Sequence, residues 1–89
     1  MILEIKSDPA NLKSVRKSVE DFCKKNQIDT DIFKAKLAVD EALQNIIRYA
    51  YDFDKTRDII VKLEKTSENT LKVELRDFGT RVSTSQIKP

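Results

Sequence analysis

Leu37-Ala38-Val39-Asp40-Glu41-Ala42-Leu43-Gln44-Asn45-Ile46-Ile47-Arg48-Tyr49-Ala50-Tyr51 decides how the chain is read. The stretch has no Gly or Pro and is rich in helix formers. Apolar residues stand at Leu37, Ala38, Ala42, Leu43, Ile46, Ile47 and Ala50, which predicts a long helix. Inside that apolar sweep sit Glu41 and Asn45, one turn apart. Side chains at i and i+4 stack on one helix face, so a carboxylate and a carboxamide are aimed at one spot. An unsatisfied buried polar group costs roughly 1–3 kcal/mol, and a charge costs more. The pattern therefore predicts that something meets the pair.

Just upstream, Asp29-Thr30-Asp31 offers this helix a choice of N-caps, and Ile32, Phe33 and Leu37 begin its apolar side. Its end is expected near Tyr51, where Asp52-Phe53-Asp54-Lys55 loses the period. An earlier helix follows from Leu12, Val15, Val19, Phe22 and Cys23, with Lys13, Arg16, Lys17, Glu20 and Asp21 expected to face water. Asp8 can cap it, and Pro9 suits its first position. Lys24 and Lys25 fall at the negative end of its dipole, with Asn26 the expected left-handed stop. At the start of the chain, Leu3 and Ile5 alternate with Glu4 and Lys6, the pattern of a short half-buried strand over Ile2–Lys6.

Two strands are expected downstream. Ile59, Val61 and Leu63 alternate with Ile60, Lys62 and Glu64, and Leu71, Val73 and Leu75 alternate with Lys72, Glu74 and Arg76. Thr66-Ser67-Glu68-Asn69 is short enough to join them as an antiparallel hairpin. One further step in phase puts Asp77 on the side of Leu71, Val73 and Leu75, just before the only glycine, Gly79. A glycine there permits a backbone path other residues resist, or close approach of a ligand. The remainder, Thr80 to Pro89, has Val82 and Ile87 as its apolar pair and is expected to be an open loop. Strand, helix, helix, strand, strand defines an α+β two-layer sandwich: a small antiparallel-rich sheet with both helices on one face. So few strands leave an edge open to another chain, and a homodimer or strand exchange between copies is expected.

Composition narrows the function. The 89 residues make one domain or part of one, with 17 Lys and Arg against 15 Asp and Glu. The signs are interspersed, so no basic stripe marks direct nucleic-acid binding. No histidine is present, which excludes a histidine base or nucleophile and the commonest zinc ligand. The lone Cys23 cannot form an internal disulfide and reads as a small core residue. No signal peptide and no apolar run of membrane-spanning length occur, so a soluble, cytoplasmic protein without membrane contact is expected.

The helix and the strand end carry the candidate chemistry. Asn45 offers a neutral oxygen suited to a hard cation such as Mg²⁺, which favours phosphate co-ligands. Glu41 can orient or deprotonate a hydroxyl once partly withdrawn from water. Asp77 can accept a hydrogen bond from an amino group such as adenine's. The same residues also fit a solvated helix face and a strand-end aspartate capping a turn.

Glu41-Ala42-Leu43-Gln44-Asn45-Ile46-Ile47-Arg48-Tyr49-Ala50-Tyr51 resembles the N box of the ATPase superfamily shared by DNA gyrase, heat-shock chaperones and sensor histidine kinases. It is most similar to the version in anti-sigma-factor serine kinases, Glu-Ala-x-x-Asn-x-x-x-His-Ala-Tyr. Leu75-Arg76-Asp77-Phe78-Gly79 resembles the superfamily's first glycine box, Asp-x-Gly. The resemblance implies that Asn45 ligates the Mg²⁺ bridging the ATP phosphates and that Glu41 activates a serine hydroxyl on a partner protein. It also implies that Asp77 reads the adenine amino group while Gly79 lets the base approach. The implied function is the ATP-binding domain of a serine/threonine kinase that phosphorylates an anti-sigma antagonist and regulates a sigma factor. A non-catalytic protein-binding or oligomerisation module on the same fold is the alternative.

The sequence departs from the pattern at two places. Tyr49 replaces the usual histidine, and Thr80-Arg81 stands where many relatives have a second glycine. The chain also reaches Pro89 without the lid and second glycine-rich box of the family, whose backbone N–H groups cradle phosphates. Residues 1–89 are therefore expected to be the N-terminal part of such a domain, with weak ATP binding and little or no kinase activity alone.

Overall fold

The computed structural model describes residues 1–77 and, for the backbone alone, 82–87. The order is β1 (Ile2–Lys6), a 3-10 turn (Pro9–Asn11), α1 (Leu12–Lys25), α2 (Ile32–Asn45), a π-helical turn (Ile46–Ala50), β2 (Asp58–Lys65), β3 (Leu71–Asp77) and β4 (Val82–Ile87). The strands form one antiparallel sheet in the order β1-β2-β3-β4. The two helices make the second layer, giving the α+β sandwich that the alternation predicts.

Local chemistry sets the start of α2 and of the 3-10 turn that leads into α1. The N-cap residue of α1 itself, Asn11, makes no side-chain cap bond, against the expectation that Asp8 caps this helix. The Asp8 carboxylate accepts from the Ala10 N–H at 2.9 Å, ahead of Pro9, and Asp31 accepts from the Lys34 N–H at 3.1 Å. Each bond satisfies a donor that the first turn leaves without an intrahelical partner. Burial then follows a four-residue step: Val15, Val19 and Cys23 on α1, Ala35, Val39 and Leu43 on α2. These pack on Ile59, Val61 and Leu63 of β2 and Leu71, Val73 and Leu75 of β3. Register places Val61 opposite Leu75 and Leu63 opposite Val73. On the other face, Lys62 lies opposite Glu74 and Glu64 opposite Lys72, so unlike charges meet across the strands. The hairpin closes through Thr66 N–H to the Thr70 carbonyl at 2.9 Å, with Asn69 at φ 60. A three-residue loop ending in a left-handed residue has this form.

Four further expectations are corrected. First, Val82–Ile87 is not an open loop but β4, whose backbone pairs with β3 from Arg76↔Val82 to Leu71↔Ile87. β3 is therefore an inner strand, and the ends of the sheet are β1 and β4. Second, the left-handed residue after α1 is Gln27 at φ 54, while Asn26 has φ −97. Third, Arg16 and Glu20 do not simply face water. Arg16 pairs with Asp40 at 2.5 Å and Glu20 with Lys36 at 3.1 Å, bridging the two helices.

The fourth concerns the long helix. Its regular period ends at Asn45, and the Tyr51 N–H donates to the Ile46 carbonyl five residues back at 3.0 Å. The wider turn keeps Ile46, Ile47 and Tyr51 buried together. Tyr51 anchors the exit: its hydroxyl donates to the Asp58 carbonyl at 2.7 Å, and the Arg57 guanidinium lies 5.1 Å from its ring centre. The chain then turns through two left-handed residues, Asp52 at φ 47 and Phe53 at φ 63. The Ser7 hydroxyl, fully buried, donates to the Asp54 carbonyl and accepts from the Arg57 N–H, tying this loop to the end of β1.

Candidate functional site

Helix α2 has an inward and an outward side, and the candidate residues are on the outward one. Glu41 and Asn45 stand a turn apart, both exposed. Among the described residues neither side chain has a hydrogen-bond or ion-pair partner. The structure thus brings this pair together as the spacing predicts. Against the expectation that something meets the pair, no described residue buries or engages either side chain. The apolar sweep of α2 is wider than the strip the sheet and α1 cover: Phe33 is 75% exposed, Leu37 48%, and Ala38 is exposed too. A helix packed on one side buries only part of its circumference, and the four-residue step through Ala35, Val39 and Leu43 takes that part.

Asp77 sits where alternation along β3 puts it. It closes the strand on the face shared with Leu71, Val73 and Leu75, opposite Ile59, and is 4% exposed. A carboxylate is therefore held in the apolar layer at the strand's tip. Helix α2 packs against β3, so the helix with Glu41 and Asn45 lies over the strand with Asp77. Gly79, Thr80 and Arg81 lie outside the described residues.

Two shallow grooves flank the helix pair. One of about 370 Å³ is lined by Arg16, Phe33, Lys36, Leu37 and Asp40. Another of about 270 Å³ is lined by Pro9, Leu12, Gln44, Ile47, Arg48 and Phe53. Neither includes Glu41, Asn45 or Asp77. The Arg48 guanidinium lies 5.7 Å from the Tyr49 ring centre, on the exposed side of the π turn. Hydrogen bonds from Lys36 and then Lys24 hold the Glu20 carboxyl below the usual carboxylate range. Burial pushes the Cys23 thiol up, which leaves it a core residue without thiolate character.

Two helices over an antiparallel sheet, a carboxylate and a carboxamide on the second helix with no partner among the described residues, and an aspartate at a strand tip define a two-layer domain with one exposed polar helix face. A family model for the histidine kinase-like ATPase domain matches residues 5–89, and the chain belongs to that family. It is an ATP-binding type of domain. No curated protein matches the chain at a significant level. No helix among the described residues is long and apolar enough to cross a membrane.

Proposed function

We propose that the chain is the ATP-binding domain of a serine/threonine protein kinase of the anti-sigma-factor type, acting with Mg²⁺ on a partner protein. One observation carries the reading. Glu41 and Asn45 stand a turn apart on the outward side of α2, engaged by no other described residue, in a chain whose strand β3 ends on the buried Asp77.

The donor set fits the ion. The Asn45 carboxamide oxygen is a neutral, hard ligand, and Mg²⁺ keeps waters and takes phosphate oxygens beside one or two protein groups. Among the described residues no group of three His, Cys, Asp or Glu side chains is placed to hold a metal; Asn45 would hold the ion together with the phosphates of a nucleotide. When bound, Mg²⁺ supplies neutralisation of charge on the ATP phosphates. Asp77 accepts a hydrogen bond from the adenine amino group and thereby sets base preference. Glu41 orients a serine hydroxyl of the partner and takes its proton on the carboxylate. Positioning and charge neutralisation are the main requirements of phosphoryl transfer. The partners under this reading are a sigma factor and the antagonist protein that receives the phosphate.

Calorimetric titration with Mg-ATP, metal-free ATP and Mg-GTP tests the assignment. ATP is expected to bind about tenfold tighter than GTP, a difference of about 1.4 kcal/mol. Asn45→Ala is expected to remove the enhancement by Mg²⁺, and Asp77→Asn to erase the preference for ATP. Unchanged binding in both variants overturns the assignment. Glu41→Gln is expected to leave nucleotide binding intact while abolishing transfer to an anti-sigma antagonist, and retained transfer refutes a base role for Glu41.

A further inference from the structure

We propose that the groove of about 270 Å³ beside Glu41 holds a segment of the acceptor protein: a large apolar side chain in the groove, an acidic residue on Arg48 and a backbone N–H on Gln44. The inference rests on the kinase reading above and adds where the acceptor is gripped. Gln44 stands three residues after Glu41, a neighbour on the helix surface and about 4.5 Å further along the axis. The groove that Gln44 lines therefore begins within a turn of the proposed base.

Three features set the ligand chemistry. Pro9, Leu12, Ile47 and Phe53 make the groove largely apolar. Phe53 is kept there by its N–H, which donates to the Ile47 carbonyl at 2.8 Å, in a left-handed backbone that a non-glycine residue adopts only where its surroundings impose it. Second, the Gln44 carboxamide has a fixed orientation. Only its NH₂ can donate to a carboxylate, and it donates to Asp40 Oδ2 at 2.6 Å while Arg16 of α1 holds Asp40 Oδ1 at 2.5 Å. The Gln44 carbonyl oxygen is left as an acceptor with no partner among the described residues. Third, Arg48 is exposed, and no described carboxylate pairs with it. Its guanidinium lies 5.7 Å from the Tyr49 ring centre, a contact that leaves N–H groups open to a carboxylate.

Charge and hydrogen bonding select the occupant. A peptide with an apolar residue next to Asp or Glu brings an apolar side chain, an N–H donor and a carboxylate together within two residues. A nucleotide phosphate suits the groove poorly. Its apolar walls offer no donors to replace water, and the fixed Gln44 oxygen repels an anion. The segment fits when its serine lies just before the apolar residue, so that the hydroxyl falls beside Glu41.

Amide NMR titration of the full chain tests this with three blocked peptides: acetyl-Gly-Ser-Leu-Glu-Gly-amide, one with lysine for the glutamate, and one with glycine for the leucine. The first is expected to shift the Gln44 side-chain amide and the Ile47 and Phe53 backbone signals, and to bind about tenfold tighter than either counterpart. Arg48→Glu is expected to invert the preference, so that the lysine peptide binds tighter. Gln44→Leu is expected to weaken the glutamate and lysine peptides alike. Both positions are exposed, and circular dichroism verifies that both variants fold. Equal affinity for the glutamate and lysine peptides, or a preference that survives Arg48→Glu, overturns the groove as the acceptor site. Phosphorylation by Mg-ATP of a protein acceptor in that case leaves the kinase reading standing. An inverted preference with no transfer from Mg-ATP to the serine keeps the groove as a peptide site and tells against the kinase reading alone. Shifts at Arg48 and Phe53 caused by inorganic phosphate and by none of the peptides also overturn the proposal.

Discussion

The two sides of α2 answer to different demands. Inward, Ala35, Val39 and Leu43 are at most 2% exposed, and each fills space between the sheet and α1. Outward, Phe33, Leu37, Glu41 and Asn45 stand in water, and Glu41 and Asn45 touch no described partner. The inward side is specified by exclusion of water, which acts on every residue that points that way. The outward side receives no such instruction from the fold. Its polar pair is therefore free to serve a ligand, and its identity has little bearing on whether the chain folds. Substitutions should separate the two sides cleanly.

The largest effect belongs inward. Leu43 is among the biggest fully buried side chains, and Leu43→Ala leaves a cavity where the helix meets the sheet. Such truncations cost about 2–5 kcal/mol, a large part of the roughly 5–15 kcal/mol that stabilises an ordinary domain. Denaturant unfolding followed by circular dichroism is expected to show that loss. A cost below about 1 kcal/mol would mean that α2 is not seated on the sheet as described.

The same contrast explains what could be read from the chain beforehand. The cap at Asp31, the four-residue burial step, the hairpin at Thr66–Thr70 and the inward phase of Asp77 all follow from local rules, and all are legible in the sequence, whereas Asp8 caps the 3-10 turn ahead of α1 and not α1 itself. What escaped depends on neighbours distant in the chain. Val82–Ile87 has an apolar residue only at each end and becomes a strand through backbone pairing with β3. Arg16 and Glu20 look like solvated charges until α2 brings Asp40 and Lys36 alongside. The π turn at Ile46–Ala50 exists because Ile46, Ile47 and Tyr51 must all reach the core, a demand that a helical period read from sequence does not reveal. The exposure of Glu41 was missed for a related reason: apolar neighbours at Phe33, Leu37 and Ala38 look like core residues but lie outside the covered strip.

A smaller effect is expected at the seam between the helices, where the comparison sharpens into a pH dependence. Glu20 accepts from Lys36 at 3.1 Å and Lys24 at 3.3 Å, which holds its carboxyl below the usual range. Folding thus favours the ionised form. The resulting stabilisation is present above the carboxyl's unfolded pKa and is lost as pH falls through its lower folded value. Glu20→Gln is accordingly expected to lower Tm slightly near neutrality, by far less than Leu43→Ala. The two melting curves should converge on acidification below the ordinary carboxylate range. A gap that persists in acid would point to packing, not charge, as the contribution of Glu20.

The smallest expected effect is the most diagnostic. Glu41→Gln removes a charge from a side chain that touches no described group, and exposed substitutions of that kind change stability by no more than about 0.5 kcal/mol. Asn45→Ala replaces a weak helix former with the best one and should leave stability equal or slightly raised. Thermal melts of both variants are expected to overlay the unsubstituted chain, while Mg-ATP titration separates Asn45→Ala from it. If either variant instead melts well below the parent, the outward side is coupled to the core. Its polar pair would then be explained by folding, and the reason for assigning it to a ligand would disappear.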